Sequence, residues 1–209
     1  EFRSESPDIT VVNGAVSGGG GSNAAQVLQS RIAGNDAPDV WQTHPAAALD
    51  TYASAGLLKD LTPLFEEEGW MDVYPEDVIE GLTIDGKIYG VPFGINQMNL
   101  IWWNKNVAAD LGIEVGDQLT WDQFVEGVET VKADGSVDPI CLGDKDIFTA
   151  GEIVESAIIS HIGADGWRQL TAGELSWDDP GVVAAMEDYQ FILDNANADH
   201  TALTWDQSA

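Results

Sequence analysis

Three short stretches of the sequence carry side chains that can exchange hydrogen bonds with a small polar molecule or lie flat against it. The candidate side chains of two stretches are all polar, and the third stretch pairs an aromatic ring with a carboxylate. Amide and imidazole groups donate and accept hydrogen bonds, carboxylates accept charge-assisted ones, and aromatic rings cover C–H faces. The candidate ligand-binding residues are Gln42 and His44, then Asn96, Gln97 and Asn99, and finally Trp205 and Asp206.

Each stretch also has a purely structural interpretation. His44 can be a loop histidine bonded to the backbone, and three amides within four residues can form an ordinary polar turn. Trp205 can pack within its own helix. We interpret Trp41 as a packing residue, because its alternate position on the strand faces away from the polar tip. The pair Trp102 and Trp103 is interpreted as packing at a hinge.

Catalytic and metal chemistry find little support in the sequence. The three histidines, His44, His161 and His200, lack metal-ligand spacing, and Cys141 has no second cysteine to pair with. The glycine run at residues 18–21 is not followed by the Lys-Ser/Thr of a Walker A loop. No carboxylate pair stands out among 36 acidic residues as a glycosidase pair. The sequence therefore predicts a binding protein with no catalytic residue, metal or cofactor.

Alternating strands and helices must position the first polar tip. Strand patterns at residues 8–12 and 37–42 each precede a helical pattern, at residues 23–35 and 46–56. Gly34 is predicted to close the first helix in the left-handed conformation. This alternation predicts a parallel α/β layer, whose ligands bind beyond the carboxyl ends of its strands. Gln42 and His44 meet that condition.

The remaining elements are predicted from turn and cap signals. Asp85-Gly86 between two β-type runs predicts a tight hairpin, and residues 100–103 read as an apolar strand after the amide loop. Further on, the pattern predicts a strand at 138–143 and four helices, which begin near Asn106, at the Thr120–Gln123 capping box, at Phe148 and at Pro180. We therefore predict two α/β lobes, residues 1–101 and 107–209, joined by a hinge at 102–106.

The chain is strongly acidic. It has 36 acidic and 8 basic residues among 209, a formal net charge of −28. Such a charge repels nucleic acid and anionic lipid head groups, so neither is an expected partner. The acids alternate with apolar residues, unlike those of a disordered tail. An acidic surface supports solubility in general, but its density and the scarcity of lysine favour a protein from a salt-loving organism, since molar salt screens carboxylate repulsion.

Five segments of the sequence stand out in chain order, namely AGNDAPDVWQTH (33–44), YASAGLLKDLTPL (52–64), DGKIYGVPFGINQMNLIWWNK (85–105), LTWDQF (119–124) and LTWDQSA (203–209). In that order they resemble conserved blocks of the extracellular solute-binding proteins of ABC-type importers, in the branch that binds sugars. The third segment is similar to the family's Asp-Gly-Lys-x-Tyr-Gly-Val-Pro block with its polar loop and Leu-Trp-Tyr-Asn-Lys. The Gln-x-His tip and the glycine run resemble the glucose- and mannose-binding subgroup.

The resemblance implies a periplasmic-binding-protein-like type II fold, two α/β lobes around a cleft joined by crossing strands. It implies a monomeric receptor, held outside the cell membrane, that closes on a glucose-like sugar and passes it to an ABC permease. Phe148 and Thr149 occupy the place of the subgroup's Trp-Thr, so the resemblance adds them to the ligand-binding residues. The alternatives are a receptor for a polyamine or peptide, a glycoside hydrolase or carbohydrate esterase, and a signalling receptor that has lost transport.

The sequence departs from the family in two ways. Members are much longer and begin with a further strand, so we expect the chain to be an N-terminal fragment without the signal segment. Asn96 and Gln97 stand where the glucose-like subgroup has a His and an Arg, which leaves the sugar open. The glycine run is interpreted as a native loop, with Gly21 and Ser22 nearer the ligand than Gly18 and Gly19.

Overall fold

The computed structural model describes residues 2–17, 21–96, 99–145 and 147–208. The chain divides into two compact units, residues 1–96 and 97–209, each with its own apolar core. The predicted lobe limits at residues 101 and 107 stay a prediction. Within the described ranges, no helix is both long enough and apolar enough to cross a lipid bilayer.

The first unit is built from short helices and one hairpin. In chain order these are α1 (Phe2–Glu5), α2 (Ser22–Ala33), α3 (Ala47–Ser54), α4 (Thr62–Glu67), a 3-10 turn (Trp70–Asp72), α5 (Glu76–Leu82), β1 (Thr83–Ile84) and β2 (Lys87–Ile88). The strands pair antiparallel with Ile84 opposite Lys87. Asp85 and Gly86 both have positive φ, 50° and 74°, which is the conformation that the Asp-Gly signal predicts for a tight turn.

The core of the first unit forms where α3, α4, α5 and β2 meet. Its buried residues are Leu49, Phe65, Ile79, Leu82 and Ile88. The Phe65 ring is fully buried, and the edge of Trp70 packs against it with ring centroids 5.2 Å apart. Burying apolar surface is the main stabilising contribution in such a unit, so this cluster fixes the end of α5 against its neighbours.

The second unit is dominated by two packed helices. Its elements are α6 (Lys105–Asp110), α7 (Trp121–Asp134), α8 (Phe148–Thr171), α9 (Pro180–Asp194), a 3-10 turn (His200–Ala202) and α10 (Trp205–Ser208). Helix α8 is broken at Gly163, where φ is 69° and ψ is 177°. Its core residues Ile158 and Leu170 pack with Val182 and Ala185 of α9. A side chain at Gly181 would lie 2.6 Å from Ile162 Cγ2, so glycine there permits the close approach of α9.

Several helix signals of the sequence are confirmed. Thr120 and Gln123 form the complete capping box of α7, which ends at Gly135 in the left-handed conformation (φ 71°). Pro180 occupies the first turn of α9, where its missing N–H costs nothing. The prediction for Gly34 is wrong, because its φ is −82° and the left-handed residue after α2 is Asn35, with φ 56°. Asparagine tolerates that conformation better than most residues.

Most of the predicted strands are not found. Residues 8–12, 37–42 and 100–103 form no strand, and the predicted strand at 138–143 reduces to one parallel bridge between Ile140 and Ala196. A strand requires a neighbour that pairs with its backbone groups, and β-branched composition alone supplies none. The sequence pattern identified extended segments correctly as non-helical but could not identify a partner for them.

Candidate ligand-binding site

The backbone next to the Gln-x-His tip is held on the end of α5. Gln42 and His44 are exposed, and two residues further on the Ala46 N–H donates to the carbonyl of Gly81 at 2.7 Å. Ala46 has φ 55° and ψ −125°, an unfavourable conformation for a residue with a Cβ. Trp41 packs edge-on against Tyr52, with ring centroids 5.7 Å apart, as its interpretation as a packing residue predicts.

The segment after β2 is anchored on the same helix end. The Tyr89 N–H donates to the Leu82 carbonyl at 3.1 Å, and the Tyr74 hydroxyl donates to the Pro92 carbonyl at 3.4 Å. Asn96 is exposed at the end of this segment. The last turn of α5 therefore positions both polar segments of the first unit. Gln97 lies outside the described residues, as do Gly18 and Gly19.

In the second unit, a short backbone pairing and one asparagine side chain hold the segment that was predicted as a strand. Ile140 exchanges backbone hydrogen bonds with Asn195 and Asn197, both at 3.1 Å. Two residues after Ile140, the Leu142 N–H donates to the Asn197 side-chain oxygen at 2.8 Å. Asn195 in turn accepts from the Lys132 ammonium group at 2.8 Å. Both asparagines are buried. These hydrogen bonds therefore give partners to polar groups whose burial without a partner would destabilise the fold.

The loop Gly143–Lys145 connects two candidate stretches. The backbone N–H groups of Asp144 and Lys145 donate to the carbonyls of His200 (2.8 Å) and Leu203 (2.9 Å). The Asp144 carboxylate accepts from the Ala150 N–H at 3.2 Å in the first turn of α8. The structure therefore holds the beginnings of α8 and α10 on one loop.

Gly143 leaves the space that this arrangement requires. A Cβ at Gly143 would lie 2.6 Å from the carbonyl carbon of Thr204 and 2.7 Å from the Ser208 hydroxyl oxygen. Only a residue without a side chain allows the start of α10 to approach so closely. As a result, Phe148 and Thr149 on α8 and Trp205 and Asp206 on α10 are carried by elements that pack on the same three residues.

The candidate side chains of this unit differ in how exposed they are to solvent. Phe148 and Thr149 are half-buried, and Asp206 is exposed with its carboxylate accepting from the Thr204 hydroxyl at 2.7 Å. The Trp205 side chain is 51% exposed, which leaves half its surface available for a ligand. Asn99 is also exposed.

Sequence reasoning missed Asp144, Asn195 and Asn197. Burial and, to a smaller extent, the charge of Asp144 raise the pKa of the Tyr189 hydroxyl in α9. An aspartate shortly before a helix start is a recognisable capping signal, but in the sequence it was one of 36 acids. Among the residues with described positions, no three His, Cys, Asp or Glu side chains gather as metal ligands.

A shallow depression of about 510 Å³ lies on α2, and none of the candidate residues lines it. It contains the exposed ion pair of Arg31 and Asp36, whose Nε and Oδ2 atoms are 3.1 Å apart. Exposed pairs of this kind contribute little to stability or recognition. Its lining residues are Gln26, Val27, Ser30, Arg31, Gly34 and Asp36.

Comparison with known protein families gives a match over the whole chain. The family model for bacterial extracellular solute-binding proteins matches residues 1–209. An uncharacterized ABC transporter extracellular-binding protein of Pyrococcus horikoshii is 29% identical over 208 residues, which is 100% of this chain and 47% of the relative. The xylose/arabinose-binding protein XacG of Haloferax volcanii is 24% identical over 195 residues, 93% of this chain and 42% of the relative.

Solved structures resemble this one over nearly its full length. A structure from work on xylan utilization by the thermophilic bacterium Caldanaerobius polysaccharolyticus matches with a TM-score of 0.79 at 23% identity, covering 99% of this chain and 51% of that one. A chitin oligosaccharide binding protein matches with a TM-score of 0.73 at 21% identity, with the same coverage. These likenesses confirm the predicted periplasmic-binding-protein-like α/β class. The chain spans about half the length of the proteins it matches.

Proposed function

Since the chain belongs to the bacterial extracellular solute-binding protein family, we propose that it is part of a receptor that binds a sugar outside the cell and delivers it to an ABC permease. Hinged closure of two lobes captures the sugar in this proposal. The receptor acts as a monomer, is anchored to the membrane and catalyses no reaction.

One observation carries the proposal most directly. The loop Gly143–Lys145 holds the starts of two helices, each of which begins with an aromatic residue followed by a polar one. A sugar presents hydroxyls at its rim and C–H faces above and below, so aromatic and hydrogen-bonding groups side by side suit it. Relatives named as sugar-binding proteins, including a probable sugar-binding periplasmic protein of Mesorhizobium japonicum, support the same class of ligand.

Each candidate residue receives a role in this proposal. Phe148 and Trp205 lie against the apolar faces of the sugar, and Asp206 accepts charge-assisted hydrogen bonds from its hydroxyls. Thr149 supplies a further hydroxyl contact. The amide and imidazole groups complete the hydrogen-bonding set, namely Gln42, His44, Asn96, Gln97 and Asn99.

The sequence favours a glucose-like monosaccharide, and the Haloferax relative adds pentoses to the candidates. The test is isothermal titration of the full-length protein, in low and in molar salt, with glucose, mannose, xylose, arabinose and maltose. We expect saturable binding of at least one sugar. No heat from any sugar would overturn the proposal, and tight binding of a polyamine or peptide in the same assay would favour that alternative. Maltose is expected to remain intact on incubation, and its hydrolysis would favour the glycosidase alternative.

A pair of tryptophan variants tests the site itself. Trp205→Ala is expected to weaken binding of the preferred sugar by about tenfold, because it removes a stacking surface and a tenfold change in affinity corresponds to about 1.4 kcal/mol. Trp177→Ala is the matched control, because Trp177 is 63% exposed and is not a candidate residue. Titration calorimetry should show unchanged affinity for the control. Equal effects of the two substitutions would remove Trp205 from the site.

A further inference from the structure

We infer that Thr149 meets the sugar only as a hydrogen-bond acceptor, so that the receptor selects a ligand that donates a hydroxyl proton at that point. The inference rests on the proposed function and deepens it. It concerns the polarity of one contact, which the sequence pattern did not address.

The evidence is the surroundings of the Thr149 hydroxyl. Its oxygen lies 2.8 Å from the Gly143 carbonyl oxygen and 3.1 Å from Oδ1 of Asp144. Carbonyl and carboxylate oxygens accept hydrogen bonds and do not donate them, so the threonine hydroxyl must be the donor towards both neighbours. A hydroxyl has one proton and two lone pairs. Its only proton is therefore directed into the protein, and lone pairs are what remain for a ligand.

The two acceptors are themselves fixed in place. Asp144 is held through its backbone N–H by the His200 carbonyl, and its Oδ1 also accepts from the Ala150 N–H. Gly143 lies against the backbone of Thr204. Since rotation of the Thr149 hydroxyl towards solvent would leave both oxygens without this donor, the inward orientation is the favourable one.

This polarity has a consequence for specificity. A sugar hydroxyl that faces Thr149 must donate, so a ligand that carries fluorine at the same carbon loses the bond, because fluorine cannot donate. Sites that hydrogen-bond a substrate group reject the analogue that lacks it more strongly than apolar pockets reject a change of size. The contact therefore discriminates by hydrogen-bond direction rather than by shape.

The test compares parent sugars with their monofluoro derivatives on the full-length protein. D-Glucose, D-xylose and each monofluoro analogue are titrated against wild type, Thr149→Ser and Thr149→Val. In wild type we expect one fluorine position to weaken binding by about tenfold. Thr149→Ser keeps the hydroxyl and should keep this ratio. Thr149→Val keeps the shape without the oxygen and should bring the ratio close to one.

A control in the same helix separates this effect from helix stability. Thr171→Val also removes a hydroxyl bonded to the backbone, at 3.0 Å from the Trp167 carbonyl, and should leave every ratio as in wild type. If a parent sugar binds and no fluorine ratio depends on Thr149, the inference is overturned and the proposed function stands. If neither these sugars nor the rest of the panel binds, the proposed function fails and the inference fails with it.

Discussion

The five residues LTWDQ occur twice in the chain, and in both places the threonine lies just before the first residue of a helix. At α7, Thr120 accepts from the Gln123 N–H at 3.3 Å and Gln123 accepts from the Thr120 N–H at 3.0 Å. At α10, Gln207 accepts from the Thr204 N–H in the same way, but the threonine hydroxyl donates to Asp206. In the second copy, the threonine hydroxyl therefore orients the carboxylate of Asp206, which is a candidate ligand-binding residue.

Because the α7 box is complete, its stability contribution can be measured. Thr120→Ala is expected to lower the free energy of unfolding by about 1 kcal/mol, since it leaves helix N–H groups without a partner. The measurement is urea denaturation of both proteins. Thr130→Ala is the control within α7. Its hydroxyl bonds the Glu126 carbonyl at 2.8 Å, and alanine has the higher helix propensity, so no loss is expected. Equal losses at both positions would contradict a capping role.

At the scale of elements, the signals confined to a few neighbouring residues were the predictable ones. The capping box, the proline that starts α9 and the Asp-Gly turn each act within four residues, so the sequence displays them directly. Gly163 interrupts the helix that begins at Phe148, and a further helical piece continues from there to Thr171.

The rest depends on contacts between distant residues. The Leu142 N–H donates to the side chain of Asn197, which lies 55 positions further along the chain, and no local sequence pattern predicts such a pair. The same holds for Asp144, whose backbone is bound by His200. The sequence could therefore propose Phe148, Thr149, Trp205 and Asp206 individually, but not the loop that holds their helices together.

The role of Gly143 in the loop Gly143–Lys145 can be tested by substitution. Gly143→Ala should lower the free energy of unfolding by about 1–3 kcal/mol, because the new Cβ would overlap the Thr204 backbone and force the start of α10 away. Affinity for the preferred sugar should fall with it, as measured by titration calorimetry of the folded variant. Gly151→Ala in α8 is the matched control. A Cβ there meets nothing within 4 Å, so a neutral or stabilising effect is expected.

Equal effects of the two alanine substitutions would show that a side chain at position 143 fits without displacing α10. A stable Gly143→Ala protein with unchanged sugar affinity would separate α10 from the site. Each outcome is informative about the element, because the two glycines undergo the same chemical change in the same unit.

At the scale of the whole molecule, charge is the dominant feature. A formal net charge of −28 on 209 residues means that like charges repel one another over much of the surface. Only a few ion pairs are seen in the described ranges, including Arg168 with Asp165 in α8, whose Nη1 and Oδ1 atoms are 2.8 Å apart. Local pairing therefore does little to offset the repulsion, and mobile counterions must supply most of the compensation.

Salt should consequently stabilise the folded protein. Raising NaCl from about 0.1 M to about 1 M shortens the screening length from about 10 Å to about 3 Å, which removes most of the repulsion between neighbouring carboxylates. We expect Tm at neutral pH to rise, by about 2–4 °C for each kcal/mol gained. The control is the same salt series near the isoelectric pH of 4.1, where the net charge and its repulsion are smallest. The rise should shrink there. An equal rise at both pH values would instead indicate a salt effect on apolar burial, and no rise at neutral pH would show that repulsion does not limit the stability of this fold.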